Sequence, residues 1–430
     1  MSKQLAQQLI DFMHESPSTF HHVVKIQQEL ERNGYQELKD KDKWKIEPLG
    51  KYFIKKHDSS LIAFEIGSGD ISKEGMRLIG AHTDSPSFKI KSKSEMVTDG
   101  TYLRLNTEMY GGVLAYTWFD RPLSIAGKIT VRSDDPFKPA THLVNIDKPI
   151  LTIPSVAIHL KRDSNEKFGV NKQKDTIPLL GLINNQMERN GYLVKMVAAE
   201  TGVAVEDILG FDLALYEYDK GTLVGMNEEF ISSKGLDDKW MTYAGLQGLI
   251  DSKAISASKV LICMDNEEIG SLTSQGADSQ FILNVLERIM IALGKNREEF
   301  HQAMANSIMI SADLAHAVHP NSPELHDPTN RPLLGKGPVL KVAASGSYST
   351  DAHGMAVFKA ICENHKIPYQ TLYNRSDVRG GTTIGPITAS SLTIPVIDMG
   401  APLLGMHSIR ELAAVEDHAS TLALFIKFFS

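Results

Sequence analysis

Three carboxylates follow an apolar run in the segment LICMDNEEIG, residues 261–270. Asp265, Glu267 and Glu268 have no Lys or Arg beside them within this segment. Like charges this close repel each other unless another group offsets them. A bound cation would do so, and an acidic turn exposed to solvent is the alternative.

Polar side chains also follow three other apolar runs. The four runs are MRLIGA (76–81), KVLICM (259–264), SIMISA (307–312) and TIPVIDM (393–399). His82 follows the first, Asp313 follows the third, and His407 comes shortly after the fourth, while Asp237 and Asp238 precede a helix-like segment. Ligands bind at the carboxyl ends of the strands in an open α/β sheet. If the runs are parallel strands, these side chains form one site.

This mixture of side chains predicts a metal centre. Two histidines with several carboxylates suit Zn²⁺ or Co²⁺ better than Ca²⁺ or Mg²⁺, which prefer oxygen ligands. A single catalytic zinc uses about three protein ligands, so the larger set indicates two ions that share a bridging carboxylate and hold a water between them. One of the adjacent glutamates would bind metal, and the other would move a proton from the water to a leaving amine.

Each feature alone has an ordinary structural explanation. Aspartates before a helix are common N-caps, adjacent glutamates are common in solvated turns, and Asp313 fits a turn. No compact metal signature such as H-E-x-x-H is present. The joint placement at strand ends is what favours the metal centre.

The order of the segments predicts an α/β fold. The strand-like runs alternate with helical patterns near 20–33, 239–251, 278–293, 353–364 and 410–428. Strands that are apolar on both faces are typical of a mostly parallel sheet covered by helices. The segment 92–230 differs, with the strand-like stretches TYLRLN, LSIAGKITVRS, ILTIPSVAIHL and DLALYEYD and a helical stretch near 184–207. We interpret it as a second, β-rich domain inserted between 1–91 and 231–430.

Composition limits the classes of partner. The formal net charge of the 430 residues is −7, and there is no basic stripe of the kind that binds nucleic acid. Two cysteines favour a reducing compartment over a disulfide framework. The N-terminal pattern is that of an amphipathic helix, and no apolar stretch approaches the ~18–20 residues of a membrane span. We expect a soluble, cytoplasmic protein without nucleic-acid or membrane partners.

Six ordered segments resemble one enzyme family. They are LIGAHTDSPSFKIK (78–91), KGLDDKW (234–240), MDNEEIGS (264–271), SADLAHAVHPN (311–321), GGTTIGPITAS (380–390) and GMHSIRELA (405–413). Together they resemble the aspartyl aminopeptidase and vacuolar aminopeptidase I family of dinuclear zinc aminopeptidases, over nearly the full chain. The resemblance implies an α/β/α sandwich with a mixed, mostly parallel sheet, interrupted by a β-rich dimerisation domain. It also implies peptide substrates and a homo-oligomer, a tetrahedral dodecamer.

The resemblance also implies a role for each candidate residue. One zinc ion would be held by His82 and Asp313 and the other by Glu268 and His407, with Asp237 bridging them and Glu267 as the general base. Co²⁺ or Mn²⁺ could replace zinc.

Two further residues, Asp84 and His159, each have a functional and a structural interpretation. Asp84 would orient the imidazole of His82, or it is a plain turn residue. His159, in SVAIHLKRD, is similar to a histidine that enters the active site of a neighbouring subunit, where it would stabilise an oxyanion. Without the resemblance, His159 would be interpreted as a packed strand residue.

Specificity and the class of reaction leave alternatives open. Lys341 is the candidate cation for an acidic N-terminal residue, and an exposed lysine at a strand edge is the other interpretation. Family members that prefer acidic residues carry further basic residues after this point, whereas this chain has AASGSY at 343–348. Acidic and neutral preference both stay open. A metal-dependent deacylase or other amidohydrolase on a related fold and a non-catalytic oligomeric scaffold are alternative functions, and a serine hydrolase lacks its G-x-S-x-G turn.

Overall fold

The structure is a computed structural model that describes residues 2–167, 169–183, 191–378 and 380–430. In chain order, the first ten strands are β1 (Gln36–Glu37), β2 (Lys51–Lys56), β3 (Ser60–Glu65), β4 (Met76–His82), β5 (Ser87–Thr98), β6 (Tyr102–Tyr110), β7 (Leu123–Val131), β8 (Ala140–Asn145), β9 (Leu179–Leu182) and β10 (Ile208–Glu217). The others are β11 (Thr222–Val224), β12 (Phe230–Ser233), β13 (Ser258–Met264), β14 (Ile308–Ala312), β15 (Ala315–His316), β16 (Val339–Lys341), β17 (Gln370–Leu372), β18 (Val396–Gly400), β19 (Pro402–Leu404) and β20 (Glu411–Ala414).

The α-helices cover most of the remaining regular structure. They are α1 (Ser2–His14), α2 (Thr19–Arg32), α3 (Ile71–Glu74), α4 (Tyr192–Thr201), α5 (Leu236–Asp251), α6 (Phe281–Ala292), α7 (Arg297–Ala305), α8 (Ala352–Asn364), α9 (Ile384–Leu392) and α10 (Val415–Phe428). Within the described ranges, none of the helices is long and apolar enough to cross a membrane.

A nine-stranded mixed sheet forms the centre of the molecule. Its strand order is β1-β2-β3-β13-β4-β14-β18-β16-β17. The four predicted strand runs correspond to β4, β13, β14 and β18, and these strands are parallel neighbours in the middle of the sheet. The prediction that their carboxyl ends meet at one edge is therefore confirmed.

Helices cover both faces of this sheet. Apolar side chains of α1, α2, α5, α8 and α10 form one core with one face of the strands, and those of α6, α7 and α9 form a second core with the other face. Helix α5 packs closely on β13 at Gly245. A Cβ added there would come within 2.7 Å of Leu261 Cδ1. The result is an α/β fold with a helix layer on each side of the sheet.

A separate six-stranded antiparallel sheet follows β4 along the chain. Its strand order is β8-β7-β10-β5-β6-β9, and its strands fall between Ser87 and Leu182 and at Ile208–Glu217. It has its own apolar core, to which Leu193 and Val197 of α4 contribute. The division of the chain into domains at 92 and 230 stays a prediction.

A third, five-stranded sheet, in the order β11-β12-β20-β19-β15, corrects one helix prediction. Residues 410–428 were predicted as one helix, but Glu411–Ala414 form β20, which pairs with β12 and β19. Helix α10 starts only at Val415. The apolar residues of β20 fit either structure, and pairing with two strands decides between them.

Two predictions in the β-rich segment are also wrong in part. Of the helix predicted near 184–207, the described residues form α4, which ends at Gly202 with a φ of +71°, and a separate 3-10 turn at Val205–Asp207. Residues 184–190 lie outside the described residues. The run ILTIPSVAIHL forms isolated bridges at Leu151, Thr152 and Ile153 and then leaves the sheet.

Candidate metal centre

Six predicted site residues converge on one cavity of about 180 Å³. They are His82, Asp237, Glu267, Glu268, Asp313 and His407. The positions of four of these residues follow directly from three of the central parallel strands. His82 ends β4, the two glutamates follow β13, and Asp313 follows β14. The edge of the sheet thus gathers side chains that are far apart along the chain.

A sharp turn directs both glutamates into this cavity. Strand β13 ends at Met264, and Asn266 adopts a φ of +65°, in the left-handed region that Asn tolerates better than most residues. One turn of 3-10 helix, Glu267–Ile269, follows. This turn is why two consecutive residues can both line one cavity.

Asp237 lies between the two histidines. Its Oδ1 is 3.5 Å from His82 Nε2, and its Oδ2 is 3.4 Å from His407 Nε2. Each oxygen of the carboxylate therefore faces a different imidazole. Glu268 Oε1 is 3.4 Å from His407 Nε2, and Glu267 Oε2 is 3.9 Å from His82 Nε2.

Three buried carboxylate oxygens in and beside the cluster lack a hydrogen-bond partner within the described residues, namely Asp237 Oδ1, Asp238 Oδ1 and Glu268 Oε1. Buried charged oxygens are costly without a counter-charge, which a divalent cation would supply. Three ligand groups have donor atoms within 4.8 Å of one another: His82 with Glu267 and Glu268, His82 with Asp237 and Asp238, and Asp237 with Glu268 and His407. The residues present therefore fit metal ions that take mixed nitrogen and oxygen ligands, such as zinc.

Burial determines how the cluster titrates. It raises the pKa of Glu267 to about 7 and holds the pKa of Glu268 well above its usual range. Burial would lower the pKa of His407, but the carboxylates of Asp237 and Glu268 raise it to about 9. Without metal, the cluster therefore holds protons at neutral pH that a bound cation would displace.

Asp84 contacts His82 and the glutamate turn together. Its Oδ1 is 3.3 Å and its backbone oxygen 3.2 Å from His82 Nδ1. The carboxylate also accepts hydrogen bonds from the backbone N–H groups of Glu267 and Glu268, each at 3.2 Å. The contact with the imidazole is the one that the sequence analysis expected, and the two bonds to the turn were not expected.

Sequence reasoning missed the support given by two buried carboxylates, Asp238 and Glu411. Asp238 Oδ2 accepts a hydrogen bond from the His82 backbone N–H at 3.1 Å. Glu411 accepts bonds from the backbone N–H groups of Asp237 at 3.0 Å and His407 at 2.9 Å. Their proximity in sequence to Asp237 and His407 was the available signal. Burial raises the pKa of Glu411 to about 8.

Lys341 is buried, so the interpretation as an exposed lysine at a strand edge is wrong. It ends β16 and lines the cavity, where its Nζ donates a hydrogen bond to Asp313 Oδ1 at 2.9 Å. Burial opposes the charged ammonium, but the Asp313 carboxylate keeps the pKa of Lys341 above its ordinary value. A substrate-binding role for Lys341 stays a prediction.

His159 is not among the residues that line the cavity of its own chain. It is exposed in a turn at residues 158–160, so the interpretation as a packed strand residue is wrong. The neighbouring Val156, Ile158 and Leu160 are also exposed. Its reach into a neighbouring subunit stays a prediction.

Comparisons with known proteins identify one protein family. A sequence model for the aminopeptidase I zinc metalloproteases (M18) matches residues 12–429. A probable M18 family aminopeptidase 2 from Clostridium acetobutylicum is 52% identical over 427 residues, which is 99% of each chain.

Solved structures have the same fold over the whole chain. A chain from the cryo-electron microscopy structure of the Ape4 and Nbr1 complex has a TM-score of 0.96 and 36% identity, covering 100% of this chain and 86% of that chain. The mApe1 dodecamer of S. cerevisiae matches with a TM-score of 0.86 and 28% identity, covering 99% of this chain and 96% of that chain. The matched regions include the segments that form the cavity.

Proposed function

The chain belongs to the M18 family and is a metallo-aminopeptidase, and we propose that it cleaves peptides in the cavity described above with two divalent ions. The proposed metal ligands are His82 and Asp313 for one ion and Glu268 and His407 for the other, with Asp237 shared. Zinc is the proposed metal, and Co²⁺ or Mn²⁺ could take its place. Neither a deacylase nor a non-catalytic scaffold is supported by the family match.

The position of Asp237 is the observation that carries this proposal. One carboxylate faces two imidazoles through separate oxygens, at 3.5 Å and 3.4 Å. A single-ion site would not need a second histidine on the far side of the same carboxylate. Paired metal sites use such a shared carboxylate to hold two ions close together.

Glu267 is the proposed general base and acid. Metal ions bound at this site would lower the pKa of a water molecule and polarise the carbonyl of the substrate. The carboxylate of Glu267 would accept a proton from the attacking water and then donate it to the amino group that leaves. Burial raises the pKa of Glu267 to about 7 in the metal-free protein, and bound cations would favour the unprotonated carboxylate that accepts the first proton.

Backbone acceptors would hold the two imidazoles in the form that binds metal. His82 Nδ1 lies 3.2 Å from Asp84 O, and His407 Nδ1 lies 3.0 Å from Gly112 O. These contacts favour a proton on Nδ1 and leave Nε2 free to face Asp237. The tautomer is therefore set by the chain itself.

Lys341 is the proposed site for an acidic N-terminal side chain. Among the described residues that line the cavity, it is the one that supplies an ammonium group. Its hydrogen bond to Asp313 competes with that role, so the proposal includes both acidic and neutral N-terminal residues as substrates. A free α-amino group on the peptide is required in either case.

We also propose that the chain acts as a homo-oligomer, a tetrahedral dodecamer, in the cytoplasm. Similarity to the mApe1 dodecamer supports the assembly. The proposed domains are 1–91 with 231–430 for catalysis and 92–230 for dimerisation. His159 would then enter the site of a neighbouring subunit, and the exposed apolar residues beside it favour a surface that another chain covers.

A panel of amino-acyl anilides tests the function. Anilides of Asp, Glu, Leu, Ala and Lys are assayed with Zn²⁺, Co²⁺ or Mn²⁺, and their N-acetylated forms serve as controls. Release from the free amines alone is expected, because an aminopeptidase requires the α-amino group. Release of acetate from the N-acetylated forms, with every anilide bond left intact, would identify a deacylase and overturn the proposal.

Two glutamine variants test the separate roles of the glutamates. Glu267→Gln should reduce turnover by at least ~100-fold and keep a normal metal content, because it removes only the proton acceptor. Glu268→Gln should lose metal. The opposite pattern of metal contents would show that the two roles are exchanged.

A further inference from the structure

Tyr110, at the end of β6, connects the six-stranded sheet to the metal centre. Its hydroxyl donates a hydrogen bond to Asp84 Oδ2 at 2.6 Å and accepts one from Asn266 Nδ2 at 2.8 Å. Asn266 immediately precedes the glutamate turn. One hydroxyl therefore contacts two of the groups that determine where that turn lies.

The first of these groups, Asp84, holds the turn through both carboxylate oxygens. Oδ1 accepts the N–H of Glu267 and Oδ2 the N–H of Glu268. Oδ1 also lies 3.3 Å from His82 Nδ1. The bond from Tyr110 is shorter than these contacts by 0.6 Å or more. Rotation of the Asp84 carboxylate would disturb the imidazole and both glutamates together, and the Tyr110 hydroxyl opposes that rotation.

The second group, Asn266, is held at both ends of its amide. Nδ2 donates to the Tyr110 hydroxyl, and Oδ1 accepts a hydrogen bond from Thr273 Oγ1 at 2.8 Å. Its backbone is in the left-handed region, at a φ of +65°. A fixed amide here defines the direction in which the chain enters the glutamate turn.

We propose that Tyr110 is a positioning residue for the metal centre, whose hydroxyl fixes Asp84 and Asn266 and thereby the turn that presents Glu267 and Glu268. This inference rests on the proposed metal ligands. The six-stranded sheet is then part of the active-site framework. Removal of the Tyr110 hydroxyl from that sheet would loosen Asp84 and Asn266, which follow strands of the nine-stranded sheet.

The variant Tyr110→Phe tests this role in the full-length protein. It keeps the aromatic ring, which has Lys89 Nζ 5.1 Å from its centroid, and removes only the hydroxyl. Tyr216→Phe is the matched control, since it removes a hydroxyl that donates to Asn145 Oδ1 at 2.7 Å in the same sheet. Tyr216 does not line the cavity of the metal centre. The measurements are Zn²⁺ affinity by competition with a colorimetric chelator, the absorption spectrum of the Co²⁺-loaded protein, kcat and KM.

We expect Tyr110→Phe to bind Zn²⁺ about 10-fold more weakly and to lower kcat by ~10–100-fold, as is typical when a group that orients metal ligands is removed. KM should change little, and the Co²⁺ spectrum should shift, while Tyr216→Phe matches the wild type. Equal behaviour of the two variants would overturn the inference. If the wild-type protein itself binds no Zn²⁺, the proposed function fails, which is a different result.

A second variant keeps the test decisive if Tyr110→Phe does not fold. Asn266→Gly tolerates the left-handed backbone and removes the other partner of the hydroxyl, so it should also weaken Zn²⁺ binding. Where both single variants fold, the fold-loss in Zn²⁺ affinity of the double variant should be smaller than the product of the two single fold-losses. The reason is that both substitutions act on the same turn. Independent losses, or an unaffected Asn266→Gly, would contradict the inference.

Discussion

Lys341 donates a hydrogen bond to Asp313 over 2.9 Å, and the side chains are 3% and 13% exposed. Removal of one partner of a buried ion pair leaves an uncompensated charge. Asp313 is a proposed metal ligand, so the ammonium also orients that carboxylate. The pair connects the residue considered for substrate selection to the metal centre itself.

Lys341→Met should therefore lower Zn²⁺ affinity and kcat/KM for the Leu anilide by ~10–100-fold, with a larger loss for the Asp anilide because the proposed contact with its side chain is also removed. The common cause is the loss of the donor to Asp313. Lys336→Met, an exposed position, is the control. A loss limited to Asp and Glu anilides would instead assign Lys341 to recognition of acidic side chains.

Zinc binding to the metal-free protein should release protons near neutral pH. Burial raises the pKa of Glu267 to about 7. The carboxylates of Asp237 and Glu268 raise the pKa of His407 to about 9, although burial opposes this. Both groups are protonated to a large extent at pH 7, and a bound cation favours their unprotonated forms.

Titration calorimetry at pH 7 and pH 10, in two buffers of different ionisation enthalpy, measures this release. More protons should leave at pH 7 than at pH 10, and the apparent Zn²⁺ affinity should rise with pH between them. The same proton count at both values would show that these groups do not titrate with metal binding.

Glu411→Gln should weaken Zn²⁺ binding by about 10-fold. The two carboxylate oxygens each accept one hydrogen bond, from the backbone N–H groups of Asp237 and His407. The amide of glutamine has only one oxygen to accept them. Chelator competition measures the effect, with Glu416→Gln, an exposed position, as the control. Unchanged affinity in Glu411→Gln would mean that these two bonds do not hold the ligands.

His159→Phe should lower kcat and leave both metal content and assembly unchanged. The side chain lies outside the cavity of its own chain, so its effect would come from a neighbouring subunit. Turnover, metal analysis and light scattering after size exclusion are compared with those of His142→Phe, an exposed residue of β8. A normal turnover rate in His159→Phe would reject the role, and a monomeric wild-type enzyme with full activity would exclude it altogether.

The proposed ligands could be found from sequence because the fold makes their positions regular. Parallel strands bring their carboxyl ends to one edge, so an apolar run followed by His82 or Asp313 carries information about three-dimensional position. Strands β4 and β14 are parallel, as predicted, and they are also neighbours in the sheet. The same rule gave the positions of Glu267 and Glu268 after β13.

Other features depended on contacts that a local pattern does not contain. Apolar content predicted a strand through His159, but only residues 151–153 find bridging partners. Residues 411–414 have a pattern that suits a helix or a strand, and pairing with β12 and β19 decides it. Tyr110 reaches Asp84 because β6 pairs with β5, where Tyr110 lies opposite Ser87, and this pairing is absent from the local pattern around either residue.

The span of chain between His82 and His407 has a consequence for biosynthesis. A polypeptide emerges from the ribosome N-terminal end first, and its domains fold as they become available. A growing chain that already contains His82, Asp237 and both glutamates still lacks His407, which faces Asp237 Oδ2 in the folded protein. With His407 as a proposed ligand of the second ion, the complete metal centre would form only after nearly all of the chain has been made.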